Sequence, residues 1–283
     1  MLLILFAISV SSMVLQDSLF NSVSKKYLRT MTDNLFYNCL LYFVAFIAFL
    51  CAAIGSKVSA YSILLGALFG AVTLLMNSCK IKAMATGPLH LTVMIVTSSM
   101  IIPALSGVVL WNEKFSAAKA AAVALLLLCI RVSLGKGGGG VYKKGWLLFC
   151  ICAFLADGGI GILQKFHQSS IHRDELLWFL TTAFFVASLF SGAASVTKKK
   201  TFDFSAKDYI LVIVSGLCTF SINYFNLLLA GKLPSQLFFP LVNGSSVILT
   251  GIVSTCVFKE KITVAQFLGM AGGLLSLILI CIL

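Results

Sequence analysis

The sequence predicts an all-α polytopic membrane protein with ten transmembrane helices, built as two inverted five-helix repeats. Three observations predict it. Sixty per cent of the 283 residues are hydrophobic and 11% are charged, with a mean hydropathy of +1.04; a soluble domain carries roughly 25% charged residues. Ten apolar runs are long enough to cross a bilayer, which takes about 20 residues. Finally, two connectors nearly rhyme, "WNEKFSAAK" at Trp111–Lys119 and "FKEKITVAQ" at Phe258–Gln266. A chain this apolar has no interior large enough to hide its side chains from water, so the hydrocarbon core of a membrane must be its solvent. Lipid offers the backbone no hydrogen-bond partner, and runs of this length exclude barrel strands, so the spans are helices.

The runs, in order, are 2–20, 35–54, 60–79, 89–111, 116–134, 145–164, 176–196, 209–230, 236–258 and 262–283. The first lacks the basic n-region and small-residue cleavage site of a signal peptide and is read as a retained span. Asp17, near its end, is placed at the water interface. The second is poor in strongly polar groups. The third puts Gly66, Gly70, Thr73, Asn77 and Lys80 on one helical face. Pro88 introduces the fourth, which carries Ser98 and Ser99. The fifth, with "AAAVALLLLCI", is again nearly apolar.

A flexible basic linker, "LGKGGGGVYKKG" at Leu134–Gly145, marks the midpoint. It divides the chain into a first repeat over 1–134, a linker over 135–144 and a second repeat over 145–283. The sixth span then holds Asp157 in "FLADGGIG". The seventh is poor in strong polarity. The eighth aligns Ser215, Thr219, Asn223 and Asn226 at i, i+4, i+8 and i+11. Pro234 precedes the ninth, which lines up Gln236, Pro240, Asn243, Ser246 and Thr250. The tenth is small and apolar throughout. Thr263 and Gln266 have capping-box spacing at its start.

The halves match beyond the rhyming connectors. Pro88 and Pro234 stand 146 residues apart, and Thr73, Asn77 and Lys80 correspond to Thr219, Asn223 and Asn226 at the same offset. Five spans is an odd number, so the second half enters the membrane from the opposite side. Spans 1, 3, 4, 6, 8 and 9 carry the polarity and are expected to enclose a polar cavity, braced by spans 2, 5, 7 and 10. The polar stripes also have a plainer reading, because small and hydroxyl residues join membrane helices. Asp157 is costly at this depth. It either binds a cation or exchanges a proton, or it forms a structural pair with Lys80 or Lys165.

Charge excludes some functions. The net charge of +12 resides in short connectors and reads as a topology signal, not as a nucleic-acid surface. Six of the 21 Lys and Arg residues (Lys57, Lys114, Lys119, Lys165, Arg173 and Lys232) fall on one face, and the rest, including Lys25, Lys26, Arg29 and Lys198–Lys200, on the other. The positive-inside rule then places both termini outside. The nine cysteines lack paired ligand spacing and read as small hydrophobes, so no metal is expected. The segment "HQSSIHRDE" at His167–Glu175 reads as a solvated connector. Glu113 and Glu260 sit at span ends within reach of water, which argues against a catalytic pair. No nucleophile–base pair or nucleotide loop stands out, so neither an enzyme nor a cofactor is expected.

Ten spans in two inverted halves, with hairpins ending in Glu-Lys before a small-residue helix, resemble the drug/metabolite transporter superfamily in its EamA-like branch. The segment "TGIVSTCVFKEKITVAQFLGMAGGLL" at Thr250–Leu275 carries the likeness, and "SGVVLWNEKFSAAKAAAVALLLL" at Ser106–Leu128 is its counterpart. "CAFLADGG" is similar to the first helix of the small multidrug resistance proteins, with Asp157 in the place of their membrane glutamate and Lys165 in that of their lysine. The matching stretch of span 1 offers Ser11 instead of an acid, a departure from the symmetric two-carboxylate arrangement. Family members often keep their termini in the cytoplasm, whereas the charge count here argues the reverse.

The resemblance implies a secondary transporter whose repeats rock about a midplane site in the cytoplasmic membrane, as in bacteria. It would move a small polar or amphipathic metabolite, such as an amino acid or quaternary amine, among membrane lipids and with proton or ion coupling as an open option. The pathway is expected among Gln16, Asn77, Ser99, Asp157, Gln164, Asn223, Asn226, Gln236 and Asn243, where amides supply donors and acceptors without fixing a charge. A lipid-linked carrier or flippase and a non-transporting scaffold are the alternatives.

Overall fold

The computed structural model describes residues 2–26, 30–103, 106, 117–133, 143–196, 205–230, 235–260 and 263–282. Glu113 with the rest of its connector, most of the glycine linker, Lys198–Lys200 and Pro234 lie outside them. The described residues form α-helices and short 3₁₀ turns, with no strand. The helices are α1 (Leu2–Lys26), α2 (Met31–Ala53), α3 (Ala60–Thr86), α4 (Leu89–Thr97), α5 (Ala117–Ser133), α6 (Trp146–Gln168), α7 (Leu176–Val196), α8 (Ala206–Ala230), α9 (Ser235–Cys256) and α10 (Val264–Ile282). Each overlies one of the apolar runs. Among the described residues α1, α2, α3, α6, α7 and α8 are long and apolar enough to cross a membrane.

The fourth run departs from expectation. Its regular α-helix stops at Thr97, a 3₁₀ turn covers Ser98–Met100, and α-helical geometry resumes at Ile101. The local cause lies in the side chains. Thr97 donates its hydroxyl to the Val93 carbonyl at 2.7 Å and Ser98 to the Met94 carbonyl at 2.7 Å. Such back-bonding competes with the helical ladder and bends helices.

Capping fixes several of the helix starts. At α2, Thr30 and Asp33 form a reciprocal capping box (3.0 and 3.2 Å). Thr263 and Gln266 do the same at α10 (2.9 and 3.3 Å), as their spacing predicts. At α8 the Ser205 N–H and hydroxyl both donate to Asp208 Oδ2, at 2.8 and 2.6 Å.

Helix α2 lies along α7 and α5 along α10; α3 packs on α6 and α7, α8 on α1 and α2, and α9 on α1, α4 and α10. The core is aromatic, with Tyr37, Tyr42, Phe49, Phe69, Phe179 and Phe184 fully buried. Phe49 and Phe184 stack at 5.4 Å. Leu64, Leu68, Leu148 and Leu155 point outward, as they should where the solvent is lipid. A Cβ on Gly70 would stand 2.0 Å from the Ala183 carbonyl oxygen, and one on Gly216 2.7 Å from that of Leu41. These two glycines let α3 touch α7 and α8 touch α2 at backbone distance. The Gly66–Gly70 end of the α3 stripe is therefore a packing surface, not part of a pathway.

The two ends of the bundle gather different connectors. At one, the end of α1, the start of α4 and the α9–α10 connector meet at Glu260, and the Lys143 N–H donates to the Thr86 carbonyl at 2.9 Å. At the other, the α2–α3 connector meets the α6–α7 connector. There Glu175 accepts from Ser59 and Ser62, and Trp178 Nε1 donates to the Ser56 carbonyl at 3.1 Å.

Candidate functional site

Asp157 sits eleven residues into α6, about 16 Å along the helix axis, near the middle of a bilayer core about 30 Å thick. Its Oδ2 accepts the Ser99 hydroxyl at 2.5 Å. Ser99 belongs to the 3₁₀ turn that interrupts the fourth run, and a short 3₁₀ stretch inside a helix marks a hinge. Two glycines of α6 hold the partners close. A Cβ on Gly158 would meet Ile102 at 2.3 Å, and one on Gly161 would meet Pro103 at 2.9 Å. Beside the turn, Met94, Thr97, Ser98, Gly244 and Val247 line a narrow, largely apolar crevice between α4, α9 and α10, with room for little more than a water molecule.

Lys80 is paired with Asp17, Nζ to Oδ1 at 2.5 Å, with side-chain exposures of 13% and 3%. Asp17, which the sequence places at the water interface, is instead buried. The direct ion pair of this lysine is therefore with Asp17. A buried charge needs such compensation or a cavity to face.

A second polar network joins α1, α2 and α8. Gln16 Nε2 donates to the Thr219 hydroxyl at 2.5 Å and to the Ser215 carbonyl at 3.3 Å. Tyr37 shares a 2.7 Å hydrogen bond with the Ser215 hydroxyl. Asn223 Nδ2 donates to the Thr219 carbonyl at 2.9 Å, and Ser9 donates to Asn226 Oδ1. Toward α3, Asn77 Nδ2 donates to the Tyr42 hydroxyl at 2.6 Å, which in turn donates to the Thr73 carbonyl at 3.2 Å. Asn34 and Asn38 bond to Ser78 at 2.8 and 3.3 Å.

Of the residues expected to line the pathway, the structure joins Ser99 to Asp157 and links Gln16 with Asn223 through Thr219. Asn77 is held by Tyr42, and Asn226 by Ser9, near the start of α1. Gln164 and Asn243 are half-buried on α6 and α9, and Gln236, on the first turn of α9, lies outside the described side chains. Sequence reasoning missed α2 as a polar element. Asn34, Tyr37, Asn38 and Tyr42 recur at i, i+3, i+4 and i+8, one face of a helix, and that spacing is the signal that finds them.

Residues 144–282 match the EamA-like transporter family. A solved structure described only as a protein crystal structure is 12% identical, with a TM-score of 0.65, covering 97% of this chain and 95% of its own. At that identity the likeness concerns the fold alone. The comparison with curated proteins returned no match.

Proposed function

We propose that this chain, which through residues 144–282 belongs to the EamA-like transporter family, is a secondary transporter of a small polar or amphipathic metabolite, working by alternating access. The observation that carries this reading is the Asp157–Ser99 contact, a mid-membrane carboxylate on a hydroxyl of an interrupted helix. A short 3₁₀ stretch inside a helix suits a hinge, and here the turn sets the Ser99 hydroxyl against the carboxylate. Since Lys80 is engaged with Asp17, Asp157 is the carboxylate assigned to an ammonium group or to a proton. The neutral amides of Gln16, Asn77, Asn223 and Asn243 suit the rest of a zwitterion.

Packing supports two related halves. Under exchange of α1–α5 for α6–α10, the pairs α2–α7, α4–α9 and α5–α10 map onto themselves. The α3–α6 contact maps onto α8–α1, and α3–α7 onto α8–α2, all of which occur. Ten spans, a repeat over 1–134, a linker over 135–144 and a repeat over 145–283 fit that pattern. With the cationic connectors on the cytoplasmic side, both termini lie outside.

Purified protein in proteoliposomes tests the function. Solutes that raise its thermal stability in a metabolite panel are expected to move saturably, with flux that responds to an imposed pH gradient. Movement of no panel solute, together with stabilisation by anionic phospholipid, contradicts the reading and favours a lipid carrier.

A further inference from the structure

Glu260 lies well away from the Asp157 site, at the end of the bundle where α1 stops, α4 begins and α9 turns toward α10. Its carboxylate accepts from the Leu89 backbone N–H at 3.1 and 3.2 Å, from Lys25 Nζ at 3.1 Å, from the Ser254 hydroxyl, and from His90 Nδ1 at 3.1 Å. Each contact has a physical cause. Pro88 heads α4 without a side-chain cap, which leaves first-turn N–H groups in need of an acceptor. The positive end of that helix favours a carboxylate, and Lys25 and His90 add donors. Lys25, Leu89 and His90 precede the midpoint linker, while Ser254 and Glu260 follow it. One carboxylate therefore holds the two halves of the chain together at this end.

Directly inward of it, three helices present polar atoms with nothing to bond. Asn21 lies one turn inward of Lys25 on α1. Thr250 lies one turn inward of Ser254 on α9, and Ser246 one turn further. Asn21 Nδ2 and Oδ1, Thr250 Oγ1, Ser246 Oγ and His90 Nε2 are all buried without a hydrogen-bond partner among the described residues. Unpaired buried polar groups are costly and are rare in folded proteins. Inside a membrane, polar side chains normally face a water-filled cavity or a partner. Five such atoms behind one ion-paired carboxylate are what a polar passage looks like when its walls are pressed shut.

We propose that Glu260 latches a gate at this end, and that Asn21, Ser246, Thr250 and His90 form the wall of the solute passage behind it. The proposal rests on the transport reading above. With the latch made, its charge-assisted bonds offset the desolvation of the wall. With the latch released, α1, α4 and α9 part, and water or solute satisfies the exposed atoms. Two opposed contributions of this kind give a bistable contact, the behaviour a gate needs. The wall offers neutral donors and acceptors, so it suits a hydrated, uncharged or zwitterionic solute.

Thiol labelling tests it without any substrate. Thr250→Cys is placed in a background whose native cysteines are replaced by serine, and its reaction with a charged, membrane-impermeant maleimide is timed. Glu260→Gln is expected to speed labelling at least ~10-fold, the effect of losing a charge-assisted contact. A cysteine at Ser191, equally buried on α7, should stay slow in both backgrounds. Equal Thr250→Cys rates with and without the Glu260 carboxylate overturn the gate. Where Glu260→Gln also exposes the Ser191 position, Lys25→Met replaces it as the weakened latch, and an unchanged rate there overturns the gate instead. Flux without altered labelling rejects the gate alone, whereas altered labelling without flux rejects the transport reading alone.

Discussion

Asp17 and Lys80 stand 2.5 Å apart and largely out of water, so each is tolerated only because of the other. Removing one partner of such a pair costs about 3–5 kcal/mol, while replacing both by apolar residues of similar volume is often neutral. Lys80→Met alone should therefore lower the thermal unfolding temperature sharply, and Asp17→Leu with Lys80→Met should recover most of the loss. A double variant as unstable as Lys80→Met would contradict the pairing. Glu260 makes a different prediction. Burial pushes its carboxyl up, but hydrogen bonds from His90, Ser254, the Leu89 N–H and Lys25 outweigh that and hold it at about 2, below its ordinary 4.5. A depressed carboxylate contributes stability that is complete above its unfolded value and lost as pH falls through its folded one. The difference in unfolding temperature between wild type and Glu260→Gln should thus shrink as pH falls from ~5 toward ~2. A difference that stays the same across that acid range contradicts the assignment. The sequence alone suggested that water reaches Glu260, and that Asp17 is interfacial. Both readings missed long-range partners, Leu89 and His90 in one case and Lys80 in the other, which no local pattern encodes.

Helix starts show how one element completes another. Ser205 and Asp208 cap α8 within four residues. The residues 146 positions earlier are Ser59 and Ser62, at the start of α3, where the acid is missing. Glu175 supplies it from the α6–α7 connector. It accepts the Ser59 N–H at 2.9 Å, and the hydroxyls of Ser59 and Ser62 at 2.5 and 2.6 Å. Glu175→Gln should therefore lower the unfolding temperature, and Ser62→Asp in that background should restore most of it by rebuilding the local cap. Failure of Ser62→Asp to rescue would mean that Glu175 acts through His172 instead. Local elements of this kind were legible: the Thr263–Gln266 capping box forms as its spacing implies, and every helix overlies its apolar run. The 3₁₀ turn at Ser98–Met100 was not, because it depends on which carbonyl each hydroxyl chooses. The polarity of α2 was hidden because tyrosine counts as hydrophobic in any run-based reading.

Across the whole molecule, polarity is concentrated between helices and apolar side chains face outward, the arrangement a protein needs when lipid is its solvent. Helix contacts that persist when the halves are exchanged support the proposal of two related five-helix halves. Asp157 sits near the middle of that arrangement and Glu260 at one end, so the proposed solute site and gate are separate in space and testable apart. The recurrence of prolines and amides at an offset of 146 residues is a feature of the sequence itself, whereas the pairing of Asp17 with Lys80 across α1 and α3 required the fold. The most direct measurement compares wild type with Asp157→Asn in proteoliposomes, following flux of a stabilising solute with and without an imposed pH gradient. If Asp157 carries the solute's cation or a proton, the variant folds with a normal unfolding profile but loses flux at least ~10-fold, equivalent to about 1.4 kcal/mol, together with the response to the gradient. Unchanged flux with an unchanged response to pH would contradict that role for Asp157.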